Sequence, residues 1–342
     1  MSSSNKTGGR LKPSSMEELQ NNIPGLKELP FQVEWNEFEM DGKFIDSSDA
    51  NIELYQLLGE KIAEEQKNYD GIVVVFGTDT MGPSSAALSY ELEGLQRPVV
   101  FTGSMIPAIE EGSDGPKNLL DAIEVAAQSG NEIPPINEVT VCFAGKLFRG
   151  VHTRKFSANN VDSMDGVTEY PIATFEKDEI RVDEKRLLPS EEKECTFHPL
   201  EQKNILGIGV CSQLISSIEA KLKALSDVDA ILLFDLPQEY PLHGESTVVK
   251  LIHQYAPNTV IFFADQMVDS PDPEWLRLRT VPDFQQLMIK ANYILSRAKN
   301  RDEMRLLADS NLRGEGKGEL LRESERLLEM RRERERPPLN KH

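Results

Sequence analysis

Six short apolar runs, each bounded by turn-forming residues and separated from the next by a stretch of helical periodicity, constrain this chain most. They are Gly71 to Phe76, Pro98 to Thr102, Glu138 to Ala144, Ile205 to Val210, Ala230 to Phe234 and Thr259 to Ala264. A run of this length without alternation fits a strand buried on both faces, as parallel strands are when crossover helices cover the sheet. Helical spacing fills the intervals Ile52 to Asn68, Ser84 to Leu95, Asn118 to Ala127, Leu214 to Leu225 and Thr247 to Gln254. Strand and helix in alternation predict an α/β fold.

Composition narrows the partners. The 342 residues carry 38 Lys and Arg against 57 Asp and Glu, a net charge of −19. Such a surface repels a phosphate backbone, so nucleic acid is not an expected partner. No stretch approaches the ~20 consecutive apolar residues of a membrane span, and the start lacks a secretory h-region, so no membrane partner and a cytoplasmic location are expected. Cys142, Cys195 and Cys211 are odd in number and lack ligand spacing, which predicts reduced thiols and neither a disulfide framework nor a zinc site; no cofactor is expected. Between Glu176 and Glu201 the chain becomes charged and poor in apolar runs. We expect a domain of residues 1–185, a linker over 186–202, a second domain over 203–313 and a charged helical or disordered tail from 314 to 342.

Four segments carry groups suited to chemistry. Gly77-Thr78-Asp79-Thr80-Met81 follows the first strand at its carboxyl end, where doubly wound sheets bind ligands. Its hydroxyls and carboxylate suit helix capping as well as ligand contact. Asp46-Ser47-Ser48 precedes the long first helix and is open to the same two readings. Phe101-Thr102-Gly103-Ser104 lies at the next strand end, ahead of Ser113-Asp114-Gly115. Arg149 to Lys155 begins soon after the strand Glu138 to Ala144. A strand-end lysine facing a threonine and an aspartate can be desolvated until it works as a base.

Together these segments resemble the type I (cytosolic) L-asparaginase family. Gly-Thr-Asp-Thr-Met at 77–81 and Thr-Gly-Ser-x-Ile-Pro at 102–107 are followed at the family's spacing by Ser-Asp-Gly-x-x-Asn-Leu-Leu at 113–120. Asn311-Leu312-Arg313-Gly314-Glu315 looks like the family's closing motif. The resemblance runs from about Arg10 to about Gly314. It implies a large amino-terminal doubly wound α/β domain, a smaller carboxyl-terminal α/β domain, and subunits that associate as homodimers or homotetramers. It also implies hydrolysis of L-asparagine to L-aspartate and ammonia through a threonine nucleophile. In the family the usual nucleophile is a threonine of a Thr-Gly-Gly-Thr-Ile motif after the first strand; Thr78, Asp79 and Lys155 would be its second catalytic triad, and Asp46, Ser47, Ser48 and Ser104 would bind the amino acid's polar groups. A threonine hydroxyl needs a nearby base, which a lysine oriented by a carboxylate can supply.

The chain departs from the family in three places. No apolar strand precedes residue 10, so the family's first strand and its Thr-Gly-Gly-Thr-Ile loop are expected to be absent, with Thr7-Gly8-Gly9 a remnant of the lid. Asp235 to Glu239 stands where the family has a glycine-rich turn, and Ala264 to Met267 replaces a Thr-Gln-Cys type segment. The alternatives to an active amidohydrolase are therefore an impaired homologue that keeps the amino-acid pocket or assembles with an active paralogue, and an asparaginase-like amidotransferase subunit.

Overall fold

The structure, a computed structural model, describes residues 2–3, 12–13, 23–36, 46–108, 110–128, 133–167, 170–176, 179–190, 194–210, 214–235, 246–264, 272–279 and 283–316. The expectations for Thr7, Cys211, the turn after Asp235, residues 265–267 and the tail beyond Gly316 fall outside them. The chain divides into two compact units between Leu200 and Glu201.

Besides a two-residue antiparallel pairing of Ser2–Ser3 with Lys12–Pro13 and short 3-10 turns, the elements of the first unit are α1 (Ile52–Glu65), β1 (Ile72–Val75), α2 (Met81–Glu91), β2 (Leu92–Glu93), β3 (Val99–Thr102), α3 (Gly115–Gln128), β4 (Val139–Phe143), β5 (Lys146–Arg149), β6 (Thr153–Lys155), β7 (Met164–Gly166), β8 (Ala173–Glu176), β9 (Glu179–Val182) and β10 (Thr196–Phe197). The main sheet has the order β9-β8-β5-β4-β3-β1. β1, β3 and β4 are parallel, as the apolar runs predict; β5, β8 and β9 extend the sheet antiparallel. The sheet is therefore mixed rather than parallel throughout. The tight Ala144-Gly145 turn, both residues at positive φ, sends β5 straight back along β4. On one face Val100, Cys142, Leu147 and Ile172 pack against Ala122 and Val125 of α3.

Helix α2 is buried on every side. Its serines are tolerated because each returns its hydroxyl to a main-chain carbonyl: Ser84 to Thr80 O (2.7 Å), Ser85 to Gly82 O (2.9 Å) and Ser89 to Ser85 O (2.7 Å). At its end Glu91 is wholly buried. One carboxyl oxygen accepts the Leu200 amide (3.0 Å), while Oε2 has no hydrogen-bond partner. Burial pushes this carboxyl up to about 8, against the smaller opposing effect of the Leu200 bond. The segment that holds it is fixed by the β2–β10 ladder, by His198 N donating to Glu91 O (2.7 Å) and by the contact of His198 Nε2 with Glu93 Oε2 (3.1 Å).

The second unit contains β11 (Ile205–Val210), α4 (Ile215–Lys223), β12 (Ala230–Asp235), α5 (Thr247–Tyr255), β13 (Val260–Ala264), β14 (Leu276–Leu278), α6 (Phe284–Arg297) and α7 (Arg301–Ala308). Its sheet β11-β12-β13-β14 is parallel throughout. Ile208, Ile231, Leu233 and Phe263 meet Ile218, Val248 and Ile252 in one core. A fully buried ion pair, Lys290 Nζ to Glu315 Oε1 at 2.8 Å, closes this unit. Burial is the largest single influence on Glu315 and opposes its ionisation. The Lys290 ammonium and the Leu312 and Arg313 amides outweigh it and hold the carboxyl below its ordinary value. Among the described residues no helix is long and apolar enough to cross a membrane, and no group of three or more His, Cys, Asp and Glu is placed to hold a metal ion.

Candidate active site

Gly77 to Thr80 form the crossover from β1 into α2. The turn is tight because the Ser47 side chain lies against the Gly77 Cα, where any Cβ would collide with it. Thr80 occupies the position before the helix, yet its hydroxyl makes no capping bond. It donates instead to Ser47 O at 2.5 Å, tying the Ser47–Asp49 turn to the crossover.

Lys155 reaches this crossover from β6. Its Nζ donates to Thr78 Oγ1 at 2.8 Å and to Asp79 Oδ1 at 2.7 Å, across 77 and 76 residues of sequence. The side chains of Thr78 and Asp79 are thus bonded to a cation. The lysine side chain is 18% exposed and Asp79 64%, so the cluster opens to solvent on the carboxylate side. Gly82 lets β6 approach this closely: a Cβ there would strike the Thr153 carbonyl. Such an arrangement can move a proton between the threonine hydroxyl and the amine, while the carboxylate favours the ammonium that results.

The other expected residues sit as follows. Ser47 is buried against Gly77. Asp46 and Ser48 are exposed, and Asp46 Oδ1 accepts from Ser48 N (3.0 Å) and Ser48 Oγ (2.9 Å), capping the short turn. Ser104 is half-buried in the loop after β3. That loop packs on the crossover, since a Cβ at Gly103 would strike the Phe76 carbonyl and the Met81 methyl.

Two residues without an assigned role in the sequence reading hold this loop. Asp114 accepts from Met105 N (3.1 Å) and Ile106 N (3.0 Å), and Asn118 bonds to Gly103 O and to Ala144 N, both at 3.0 Å. In the sequence, Asp114 and Asn118 stand within the Ser-Asp-Gly-x-x-Asn-Leu-Leu motif, which assigns neither of them a role.

A family profile described as "Asparaginase, N-terminal" matches residues 1–188, more than half of the chain. The chain belongs to the asparaginase family. Within this asparaginase-family chain, 119 residues are 46% identical to L-asparaginase 1 of Escherichia coli (strain K12), a match covering 35% of this chain. The match spans about a third of the length of that relative, 34%. Among solved structures, the thermostable L-asparaginase from Thermococcus kodakarensis shares the fold with a TM-score of 0.75 at 22% identity, covering 91% of this chain and 94% of that one. L-asparaginase I from Vibrio cholerae O1 biovar eltor superposes with a TM-score of 0.73 at 25% identity, covering 90% and 94%.

Proposed function

We propose that this chain hydrolyses L-asparagine to L-aspartate and ammonia, with Thr78 as nucleophile, Lys155 as base and Asp79 as its orienting partner. The observation that carries the reading is the Lys155 ammonium bonded to both Thr78 Oγ1 and Asp79 Oδ1. In its neutral form Lys155 takes the Thr78 proton as Oγ1 attacks the side-chain carbonyl carbon. The proton passes to the amide nitrogen as the carbon–nitrogen bond breaks, releasing ammonia and leaving an ester on Thr78. Water, deprotonated by the same amine, then cleaves the ester to aspartate and restores the hydroxyl. Asp46, Ser47, Ser48 and Ser104 supply hydrogen-bonding groups for the amino acid's ammonium and carboxylate. The names of the relatives support the substrate, and the free, buried Cys142 thiol fits a cytoplasmic location. Self-association into homodimers or homotetramers belongs to the same proposal, and light scattering checks it.

The test is ammonia release from L-asparagine by the parent chain, Lys155→Met and Thr78→Val. Removing an acid–base group costs ~10² to 10⁴ in turnover. A parent that binds L-aspartate without releasing ammonia from asparagine would replace the enzyme by a binding protein. A Lys155→Met variant within about threefold of the parent would remove Lys155 from the chemistry.

A further inference from the structure

We propose that Asn118, held by Asp114, is a positioning residue for the Thr78 site. Its one amide ties the carboxyl ends of β3 and β4 together so that the Gly103–Ser104 backbone keeps its place against the Gly77–Thr78 crossover. The inference rests on the asparagine-hydrolysing reading of that site.

Asn118 is almost wholly buried, and its amide makes three hydrogen bonds. Nδ2 donates to Gly103 O and to Asp114 Oδ2, both at 3.0 Å, and Oδ1 accepts the Ala144 amide at 3.0 Å. Its main-chain carbonyl faces the Thr102 hydroxyl at 3.2 Å, and that hydroxyl also reaches Cys142 O at 2.9 Å. One residue of α3 therefore contacts the chain at the ends of two neighbouring parallel strands. One of those contacts stabilises Ala144, a non-glycine residue at φ 50°, a conformation that costs ~1 to 2 kcal/mol and persists only where its surroundings dictate it. Asp114 completes the cup by accepting the Met105 and Ile106 amides.

The tie continues to the reacting group without slack. Phe76 N donates to Thr102 O at 2.7 Å, and Gly103 has no room for a methyl group between the Phe76 carbonyl and Met81. Phe76 and Met81 flank the Gly77–Thr80 crossover on both sides. A shift of Gly103 is thus passed to Thr78, and misplacement of a reacting group by ~1 Å costs ~10²-fold in rate.

The test uses Asn118→Asp, Asp114→Asn and the exchanged pair Asp114→Asn/Asn118→Asp. A carboxylate at 118 faces the Gly103 carbonyl and the Asp114 carboxylate, acceptor against acceptor. Each single variant should lower kcat for asparagine by about 10- to 100-fold, with KM changed by less than about threefold. The exchanged pair regains the 114–118 hydrogen bond but leaves Gly103 O without a donor, so thermal stability should recover while kcat stays low. Recovery of kcat together with stability would overturn the proposal, since a purely structural role predicts it. Should Asn118→Asp not fold, Thr102→Val carries the test: it removes one hydroxyl of the tie and should lower kcat at unchanged KM, and an unchanged kcat overturns the proposal. A parent chain that releases no ammonia refutes the asparagine reading alone. The amide NMR shifts of Gly77 and Thr78 in Asp114→Asn then decide: displaced shifts uphold the tie, and unmoved shifts overturn it.

Discussion

Replacing Glu91 by glutamine should remove most of the dependence of the first unit's stability on pH between mild acid and mild alkali. The carboxyl is buried at the end of α2 with one oxygen unpartnered, and burial raises it from 4.5 to about 8. The folded unit therefore holds this proton more tightly than the unfolded chain. Its contribution to stability is whole below the unfolded value and is lost as pH rises towards the folded one. At ~1.4 kcal/mol per pH unit, about 4 kcal/mol should be lost between pH 5 and pH 8.5. Glutamine keeps an acceptor for the Leu200 amide and carries no charge to desolvate. The sequence contains two tryptophans, Trp35 in the first unit and Trp275 in the second, so Trp35 emission in a Trp275→Phe background follows the first unit during urea unfolding. Groups shared by the two proteins and not coupled to Glu91 cancel when the Glu91→Gln curve is subtracted from the parent curve, and the Tyr55 phenol, which burial and the Glu91 charge push up, is moved away from this pH range. A difference that changes by less than about 1 kcal/mol across this range would show that Glu91 ionises normally in the folded unit, and the argument from burial would fail.

Gly77→Ala should destabilise the first unit by ~1 to 3 kcal/mol by forcing a methyl group into the Ser47 side chain. Adding Ser47→Gly should return part of the loss, a coupling that a double-mutant unfolding cycle reads. Glu315→Leu leaves Lys290 buried without its counter-ion, and ~3 to 5 kcal/mol should be missing from the second unit's unfolding as followed by Trp275 emission. Burial, followed by the nearby Asp121 charge, pushes the Cys142 thiol well above its ordinary value. Peptide mapping after iodoacetamide should find Cys195, which is half-buried, modified before Cys142, and Cys142 only after unfolding.

How much of this was legible in the sequence depended on where each side chain's partner lies. All six apolar runs form strands, because residues such as Val99 to Thr102 are buried on both faces and leave a local pattern. Helix α2 begins at Met81 rather than Ser84. Pro83 reads as a boundary, yet the first helical turn leaves its N–H groups unbonded, so proline costs nothing there. Strands β5, β8 and β9 leave no apolar run because each is four residues long and interleaves apolar with polar or charged residues. β9, Glu179-Ile180-Arg181-Val182, alternates between exposed and half-buried at the sheet's edge and adds to the charged look of the 176–201 segment. Strand β2 follows α2 directly because Leu92 and Glu93 pair with Phe197 and Thr196, more than a hundred residues away. No local period reports such a partner. The meeting of Lys155 with Thr78 and Asp79 was readable only through the family motifs. The Asp114–Asn118 pair stands at i,i+4 spacing within the Ser-Asp-Gly-x-x-Asn-Leu-Leu motif, but its bonds to Gly103, Met105, Ile106 and Ala144 leave no local pattern, since they depend on loops folding back over the start of α3.

Lys155 is carried on a ladder of three residue pairs, Thr153–Gly166, Arg154–Asp165 and Lys155–Met164, that stands apart from the six-stranded sheet bearing Thr78 and Asp79. Thr153 and Met164 are buried, so opening this ladder costs that packing as well as its hydrogen bonds, yet less than unfolding the whole unit, and it takes the amine away while the rest remains folded. On the proposed reading, the temperature range of asparagine hydrolysis is then bounded by the hairpin and not by the core. Activity should decline on warming several degrees before any loss of helical circular dichroism and should return on cooling. A cross-link or a stronger cross-strand pair between positions 154 and 165 should widen the range without raising the temperature at which the sheet itself melts.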